Sequence, residues 1–449
     1  MIKSNVSLLF AWVSTIPNHW QVCRLGSIAN ITLSNVDKHT IEGEVGVQLC
    51  NYIDVYKNDR ITSKIEFMQA SALPREIEKF QIKKGDILAT KDSENPNDIA
   101  VSALIDEHLP GVLCGYHLAI IRPSQTKIFS NFLAWVHKSK EILAQYEAQA
   151  MGVTRFALGQ STFKEAIVPL PPISEQRRIA AYLDQQTAKI DRLVDLRRRQ
   201  IALLKEQRAA LIQQVVTRGL NPNVPMKDSG LLWLGEIPAH WEIKRLKYLS
   251  KINPSIPRVR IPKSTDEASF LPMERIGQDG SLDLSEKRIV NDISHGYTPM
   301  INGDVIVAKI TPCFENGKGA LCTNLIGGIG FGTTELIVLR ANYEIDPRFL
   351  FWRTWCRDFR KLGESEMQGS AGQKRVTEDF ISNFYLAKPP VKEQQEIIEF
   401  IKNQNIQFEK LNLSYSRQIT LLTEYRAALI HECVTGRRQI NDTFALEAK

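Results

Sequence analysis

The sequence predicts an α+β protein built from two copies of one unit, in which a globular domain precedes a long helix. Three observations predict this class. Sequence blocks from the first half of the 449-residue chain recur in the second half. Two runs, residues 174–218 and 391–435, contain neither glycine nor proline. Before each run, short apolar stretches alternate with Gly, Pro, Asn and Asp, as is typical of strands and turns.

The recurring blocks keep a nearly constant register. Ile16-Pro17-Asn18-His19-Trp20 returns as Ile237-Pro238-Ala239-His240-Trp241, 221 positions later. The blocks that return 218 positions later are Pro171–Gln176 as Pro389–Gln394, Gly85-Asp86 as Gly303-Asp304, Lys91 as Lys309, Arg122 as Arg340, and Arg208–Ile212 as Arg426–Ile430. A shared register over blocks so far apart indicates an internal duplication, and the unit is too long for a solenoid repeat.

Each globular domain is expected to mix strands with short helices. The predicted strands are Ile87–Ala89, Leu118–Ile121, Val305–Ala308 and Leu336–Leu339, and the predicted helical segments are Phe132–Tyr146 and Pro347–Leu362. Two of these strands follow a Gly-Asp turn.

The two runs without Gly or Pro predict long helices. Both are rich in strong helix formers, begin after a Pro-Pro pair and end before Gly219 or Gly436. At about 1.5 Å per residue each would extend roughly 65 Å. An isolated helix of this length needs a packing partner, so we expect an antiparallel coiled-coil pair with pseudo-twofold symmetry. The alternative is a helix that lies along its own globular domain.

These signals divide the chain into six segments. They are the first globular domain (1–172), the first helix (173–218), a linker (219–236), the second globular domain (237–388), the second helix (389–435) and a tail (436–449).

Composition limits the possible functions. Lys and Arg number 57 against 50 Asp and Glu, a net charge of +7, which permits a nucleic-acid partner only through a local basic patch. The 7 cysteines are odd in number and form no Cys-x-x-Cys, which favours free thiols in a reducing cytoplasm. We find no apolar run long enough to span a membrane.

Motifs for catalysis are missing from the sequence. It contains no phosphate-binding Gly-x-x-x-x-Gly-Lys-Ser/Thr loop, and Gly328-x-Gly330-x-Gly332 does not continue as a dinucleotide fingerprint. His19 and His240 each stand between a Pro-x pair and a Trp, which favours a structural role over metal binding. We therefore expect a non-catalytic chain that holds no cofactor and no metal.

The order of motifs resembles the specificity subunits of type I restriction-modification systems over essentially the whole chain. Trp233–Trp241 is close to the opening of the family's repeat, and the two Pro-Pro-x-x-Glu-Gln blocks are similar to its helix starts. Gly372-Gln373-Lys374-Arg375 resembles a loop common in its target-recognition domains. The first copy departs there, with Gly152-Val153-Thr154-Arg155.

The resemblance implies a function and a set of partners. Two target-recognition domains would each read one half of a bipartite, asymmetric site in double-stranded DNA. The helices would set the spacing and dock two methyltransferase subunits, and translocase-nuclease subunits would join for restriction. S-adenosylmethionine, ATP and Mg would bind the partner subunits. The rival hypothesis is a coiled-coil protein scaffold that does not bind DNA.

Seven cations are the candidate DNA contacts. Arg155, Lys374 and Arg375, on Gly-containing loops before the helices, are candidate base readers, because Arg suits guanine and Lys suits guanine or phosphate. Lys91 and Lys309 are candidate phosphate contacts, and Arg258 and Arg260 are weaker candidates. For each residue, the alternative is an ordinary solvated cation.

Overall fold

The computed structural model describes residues 10–257, 263–370 and 372–440. The chain forms two compact units that do not follow its sequence order. The first unit comprises the chain up to Arg197 and from Arg417 onward, and the second comprises Arg198–Ser416. Both unit boundaries fall inside the long helices.

The two predicted long helices are confirmed as α6 (Ile173–Arg218) and α11 (Val391–Val434). The shorter helices of the first unit are α1 (Tyr52–Lys57), α2 (Pro74–Phe80), α3 (Ser130–Val136), α4 (Lys140–Glu147) and α5 (Gln160–Glu165). Those of the second unit are α7 (Val290–Ile293), α8 (Pro347–Trp355), α9 (Arg357–Ser365) and α10 (Glu378–Asn383).

The two predicted helical segments are each interrupted. The first contains α3 and α4, which are separated where Ser139 has extended φ and ψ angles of −80° and 143°. The second contains α8 and α9, which meet at an extended Cys356 with angles of −60° and 148°. Both predicted segments therefore contain helix, but each is divided into two helices because one residue in each leaves the helical region.

The strands described in the first unit form four sheets. They are β1 (Gln21–Arg24), β2 (Ala29–Leu33), β3 (Val45–Cys50), β4 (Arg60–Ile61), β5 (Met68–Ala72), β6 (Ile87–Thr90), β7 (Asp92–Ser93), β8 (Ser102–Ile105), β9 (Val112–Cys114), β10 (Leu118–Pro123), β11 (Phe156–Ala157) and β12 (Ile167–Leu170). The strand orders are β2-β10-β6-β8-β4, β5-β3-β9, β1-β12 and β11-β7.

In the described part of the second unit the strands also form four sheets. They are β13 (Met226–Asp228), β14 (Glu236–Pro238), β15 (Glu242–Arg245), β16 (Ser250–Ile252), β17 (Glu267–Leu271), β18 (Lys287–Ile289), β19 (Thr298–Ile301), β20 (Asp304–Ala308), β21 (Gly319–Leu321), β22 (Ile329–Gly332), β23 (Leu336–Ala341) and β24 (Tyr385–Lys388). The orders are β16-β23-β20-β21, β18-β17-β22-β19, β15-β24 and β13-β14.

The sheets confirm the duplication that the sequence predicts. The order β2-β10-β6-β8 in the first unit is repeated as β16-β23-β20-β21 in the second. The parallel pair β3–β9 is repeated as β17–β22, and the antiparallel pair β1–β12 as β15–β24. The predicted linker differs from expectation, because it contains β13, which pairs with β14.

A glutamate ties the start of each long helix to its own globular domain. In the first unit, Glu175 Oε2 lies 3.0 Å from His19 Nε2. In the second, Glu393 Oε2 lies 2.8 Å from His240 Nε2 and accepts a hydrogen bond from Trp241 Nε1 at 3.1 Å. These contacts agree with the structural role expected for both histidines.

The glutamine that follows each glutamate is buried and satisfies backbone groups. The side-chain oxygen of Gln176 accepts a 2.7 Å hydrogen bond from the backbone N–H of Phe129. Gln394 accepts an equivalent 2.7 Å bond from the N–H of Asp346. The recurring Glu-Gln pair therefore fixes where each helix leaves its domain, since a buried amide without partners would be unfavourable.

Each long helix ends on a glycine that touches the histidine–tryptophan motif. Gly219 and Gly436 have φ angles of 76° and 73°, in the left-handed region that glycine prefers at helix ends. A Cβ atom on Gly436 would lie 2.4 Å from Pro17 Cδ, and one on Gly219 would lie 3.3 Å from Trp241 Cζ2. Glycine is needed at both ends because of the backbone angle and the close approach.

The core of each unit includes the start of one long helix and the end of the other. In the first unit the helix residues are Ile179, Ala180, Leu183, Ile190 and Val194 from α6 and Leu429, Ile430, Cys433 and Val434 from α11. In the second they are Ile397, Ile398 and Ile401 from α11 and Ile212, Val215 and Val216 from α6. The helices therefore contact both each other and the globular domains, so the two packing arrangements considered from the sequence coexist.

Polar contacts between the helices in the first unit give their direction. Asp191 Oδ1 accepts a hydrogen bond from Arg426 Nε at 2.9 Å, and Gln418 Oε1 accepts one from Arg197 Nε at 2.7 Å. The residue number rises along one helix as it falls along the other, so the packing is antiparallel, as predicted.

A buried ion pair explains another of the recurring blocks. Arg122 donates from Nε and Nη2 to the two carboxylate oxygens of Asp86 at 2.8 and 2.7 Å. Arg340 binds Asp304 in the same two-pronged manner at 2.7 and 2.8 Å. Both carboxylates are buried, and such a pair is retained as a unit because losing one partner would leave an uncompensated charge.

The seven cysteines are free, as the sequence predicts. Burial raises the pKa of the Cys114 and Cys322 thiols. In the three described ranges, no helix is long and apolar enough to cross a membrane. The same residues contain no group of His, Cys, Asp and Glu arranged to hold a metal ion.

One histidine in the first unit is buried in its neutral form. His137 Nδ1 lies 3.0 Å from the carbonyl oxygen of Leu133, and its Nε2 lies 3.2 Å from Tyr146 Oη. These partners suit a ring that donates from Nδ1 and accepts at Nε2. Burial lowers the pKa of His137 to about 4.

This histidine should make the first unit sensitive to acid. The ring is neutral in both states above its ordinary pKa near 6.5, but between that value and about 4 only the unfolded chain binds the proton. We expect His137 to remove ~2 kcal/mol of unfolding free energy between pH 7 and pH 5. Urea unfolding of the wild type and of His137→Gln at both pH values measures this. An equal loss in the two proteins would contradict the assignment.

Candidate nucleic-acid interface

A short loop closed by backbone hydrogen bonds precedes each long helix. In closed loop 1 (residues 151–157), Met151 and Ala157 exchange N–H···O bonds of 3.2 and 2.9 Å. In closed loop 2 (residues 368–375), Gln368 and Arg375 exchange bonds of 3.0 and 2.8 Å. The second loop is one residue longer, so the tips of the two loops differ while their bases match.

Each closed loop is attached to the end of a central strand. Lys91, which follows β6, accepts at its carbonyl a 2.7 Å bond from the N–H of Leu158. Lys309, which follows β20, accepts an equivalent 2.8 Å bond from Val376. The end of the central strand, the closed loop and the residue before the neighbouring strand therefore meet at the same place in both units. That residue is His117, before β10, in the first unit and Glu335, before β23, in the second.

Arg155 of closed loop 1 is held by a carboxylate and a histidine. Its Nε and Nη2 donate to Asp92 Oδ1 at 3.1 and 2.6 Å, and Nη2 lies 3.1 Å from His117 Nδ1. His117 Nδ1 is itself 3.0 Å from Asp92 Oδ2. The guanidinium is half-exposed, whereas Asp92 is mostly buried.

Arg375 of closed loop 2 is held by a different carboxylate. Its Nε and Nη2 donate to Glu335 Oε2 and Oε1 at 2.9 and 2.8 Å, and Nη1 donates to the carbonyl oxygen of Gln373 at 3.1 Å. The hydrogen bond from Arg375 lowers the pKa of Glu335, which keeps this carboxylate ionised.

The two arginines do not occupy equivalent backbone positions. Ala157 pairs with Asp92 in the first unit, as Arg375 pairs with Ile310 in the second. Arg155 therefore lies two residues before the position equivalent to Arg375. The similarity between Gly152–Arg155 and Gly372–Arg375 suggests an equivalence that the hydrogen-bond register does not support.

The candidate lysines have different surroundings. Lys91 Nζ donates to the carbonyl oxygen of Ser34 at 2.7 Å and lies 4.4 Å from the centre of the Tyr116 ring, and burial lowers its pKa. Lys309 is half-buried and close enough to Glu335 to help lower the pKa of that carboxyl. Lys374 is exposed beside Arg375 at the base of closed loop 2.

The structure brings five of the seven candidates into two clusters. Lys91 and Arg155 share the first cluster, and Lys309, Lys374 and Arg375 share the second. Arg258 and Arg260 lie outside the described residues. Contact with DNA by any of the seven remains a prediction.

Sequence reasoning missed the groups that orient the arginines. Asp92, His117 and Glu335 were not predicted, because contacts with DNA were expected of cations alone. The repeat register could have found two of them, since His117 and Glu335 are 218 positions apart. Their backbone carbonyls accept equivalent bonds of 3.0 and 2.9 Å from the N–H groups of Lys91 and Lys309.

A family model and several relatives match this chain. The model of the type I restriction modification DNA specificity domain matches residues 17–203. The specificity subunit of the type I restriction enzyme EcoAI from Escherichia coli is 43% identical over 166 residues, which are 36% of this chain and 28% of that subunit. The match thus spans little more than a quarter of this relative. The putative type I restriction enzyme MjaX specificity subunit of Methanocaldococcus jannaschii is 22% identical over 404 residues, 87% of this chain and 88% of that protein.

Solved structures share the fold. A chain from a study of complex assembly and conformational transition of the type I R-M system superposes with a TM-score of 0.69 at 17% identity, covering 94% of this chain and 99% of that one. The HsdS subunit from Thermoanaerobacter tengcongensis gives a TM-score of 0.54, also at 17% identity, with 94% and 98% coverage. Residues 17–203 therefore match the type I restriction modification DNA specificity domain, and the chain as a whole has the fold of these solved structures.

Proposed function

We propose that this chain is the sequence-specific DNA-recognition subunit of a type I restriction-modification complex and that each globular domain reads one part of a bipartite site. The observation that carries the proposal is the pair of closed loops. Each presents cations at the same place on a matched scaffold, while the loop tips and the residues around the arginines differ. Two differing readers would give an asymmetric site, since base edges are distinguished by the side chains that reach them.

The proposed role is non-catalytic. S-adenosylmethionine, ATP and Mg would bind methyltransferase and translocase-nuclease subunits, and this chain would bring those subunits to their DNA target in the cytoplasm. Much of the affinity would come from phosphate contacts, which do not depend on sequence. The dilute net charge of +7 is compatible with this role if partner subunits add contacts of their own.

Apolar residues on the long helices support docking of methyltransferase subunits. Leu193 and Leu421 are exposed in the first unit, and Leu203 and Leu411 are exposed in the second. The exposed leucines recur with the 218-residue register, Leu193 with Leu411 and Leu203 with Leu421. The duplication of these exposed apolar side chains fits docking of two copies of one partner.

The first test is the methylome of the host. Deleting the gene for this chain should abolish one split, asymmetric methylation motif, and restoring it should bring the motif back. Sequencing of modified bases in both strains measures the result. A coiled-coil scaffold without a DNA role would leave the methylome unchanged, which would refute the proposal.

The second test concerns the spacing between the two parts of the motif. Inserting seven residues into each helix, after Gln200 and after Gln418, adds ~10 Å while keeping the heptad phase. We expect a spacer longer by about three base pairs, at roughly 3.4 Å each, or a loss of methylation. The control is the same insertion after Asn223, in the exposed linker. An unchanged spacer with full activity in the helix variant would show that the helices do not set the distance.

The third test concerns docking. Leu203→Asp combined with Leu421→Asp should place charges on the proposed contact surface and reduce co-purification of the methyltransferase subunit at least tenfold, because buried unpaired charges are costly in an interface. Leu232→Asp, at a fully exposed leucine outside the helices, is the matched control. Equal recovery of the partner with both variants would place the docking surface elsewhere.

A further inference from the structure

Both closed loops hold an arginine against a carboxylate, although the residues come from different positions. In the first unit the acid is Asp92, which follows Lys91 directly. In the second it is Glu335, whose equivalent in the first unit is His117. The duplication therefore did not simply copy one ion pair, and the common feature is an oriented guanidinium at the loop.

The loop does not depend on this ion pair for its shape. Closed loop 2 is held by its two closing bonds and by two further backbone bonds, from Val376 N–H to Lys309 at 2.8 Å and from Thr311 N–H to Lys374 at 2.9 Å. The Arg375 side chain is 43% exposed. An ion pair that is so accessible to solvent adds little to the stability of the fold. The contact with Glu335 is better explained by what it does to the guanidinium.

The contacts of Arg375 determine which of its donors remain available. A guanidinium has five N–H donors. Glu335 takes the Nε donor and one on Nη2, and the carbonyl of Gln373 takes one on Nη1. Counting the described residues, one N–H therefore remains on each terminal nitrogen, and the bidentate contact with Glu335 fixes the plane in which they lie.

We propose that Arg375 reads a guanine in the DNA target and that Glu335 is the positioning residue that orients it. The inference rests on the proposed DNA-recognition function and names the base that this site takes. Guanine presents two acceptors, N7 and O6, side by side in the major groove, and they match two N–H donors on one guanidinium. Adenine presents a donor beside its N7 and would leave one of the two N–H groups unpaired.

The first unit presents a different set of groups. Asp92 engages Nε and Nη2 of Arg155, and His117 Nδ1 lies beside the same Nη2, so Nη1 is the nitrogen with no hydrogen bond to a described residue. The two N–H groups left on Arg155 therefore both belong to Nη1, whereas the two left on Arg375 are divided between Nη1 and Nη2. One scaffold therefore carries two distinct base readers.

The test uses the full-length chain and a panel of duplexes. The target is first defined from the wild-type methylome, and every base pair in it is then replaced in turn. At one position of the target, the wild type should prefer guanine by about 5- to 150-fold. Arg375→Met should show no preference among the bases at that position. Glu335→Gln, which keeps the shape but not the charge, should give a preference between these two.

The matched control is Glu364→Gln, which removes one partner of the exposed Lys361–Glu364 pair in the same unit. It should keep the wild-type preference at every position. Circular dichroism checks that each variant is folded, and Glu335→Gln carries the test if Arg375→Met does not fold. An unchanged guanine preference in either folded variant would overturn the inference. A wild-type chain with no sequence preference would instead contradict the proposed function itself.

Discussion

The structure depends on one constraint, which is that neither long helix can bury its apolar residues alone. Each unit meets this constraint by packing the start of one helix and the end of the other into its own core. The Glu-Gln pair fixes the helix start, and the glycine against the histidine–tryptophan motif fixes the helix end. The recurring Pro-Pro-x-x-Glu-Gln and His-Trp blocks are therefore contact points between helices and domains, and they recur because the same junction is built twice.

The duplicated fold separates what is constant from what varies. A common order of four strands and the buried Asp–Arg pair recur in both units, and the hydrogen-bond lengths of the pair agree within about 0.1 Å. The closed loops share their base hydrogen bonds but differ in length, in the position of the arginine and in the group that orients it. Rigid elements that position variable loops are the usual arrangement for recognition.

Much of the fold was predictable because its signals are local. The long helices end where proline and glycine mark their limits, and the strands after Gly-Asp turns were found at nearly the right residues. The breaks at Ser139 and Cys356 were not predicted, because no glycine or proline stands next to either residue to mark the end of a helix. At the candidate site, the cations could be predicted from the sequence. Asp92 and Glu335 could not, since they come close to the arginines only through the backbone pairing of distant segments.

The shared core also determines the order in which the protein can be completed during synthesis. Leu429, Ile430, Cys433 and Val434 belong to the core of the first unit, yet the ribosome adds them after every residue of the second. The first unit therefore lacks part of its apolar packing until Val434 has been made, whereas the second unit can assemble earlier. Domains usually fold in the order in which they are synthesised. A chain that stopped before Leu429 would therefore lack part of the core of the first unit, whereas the second unit would be intact.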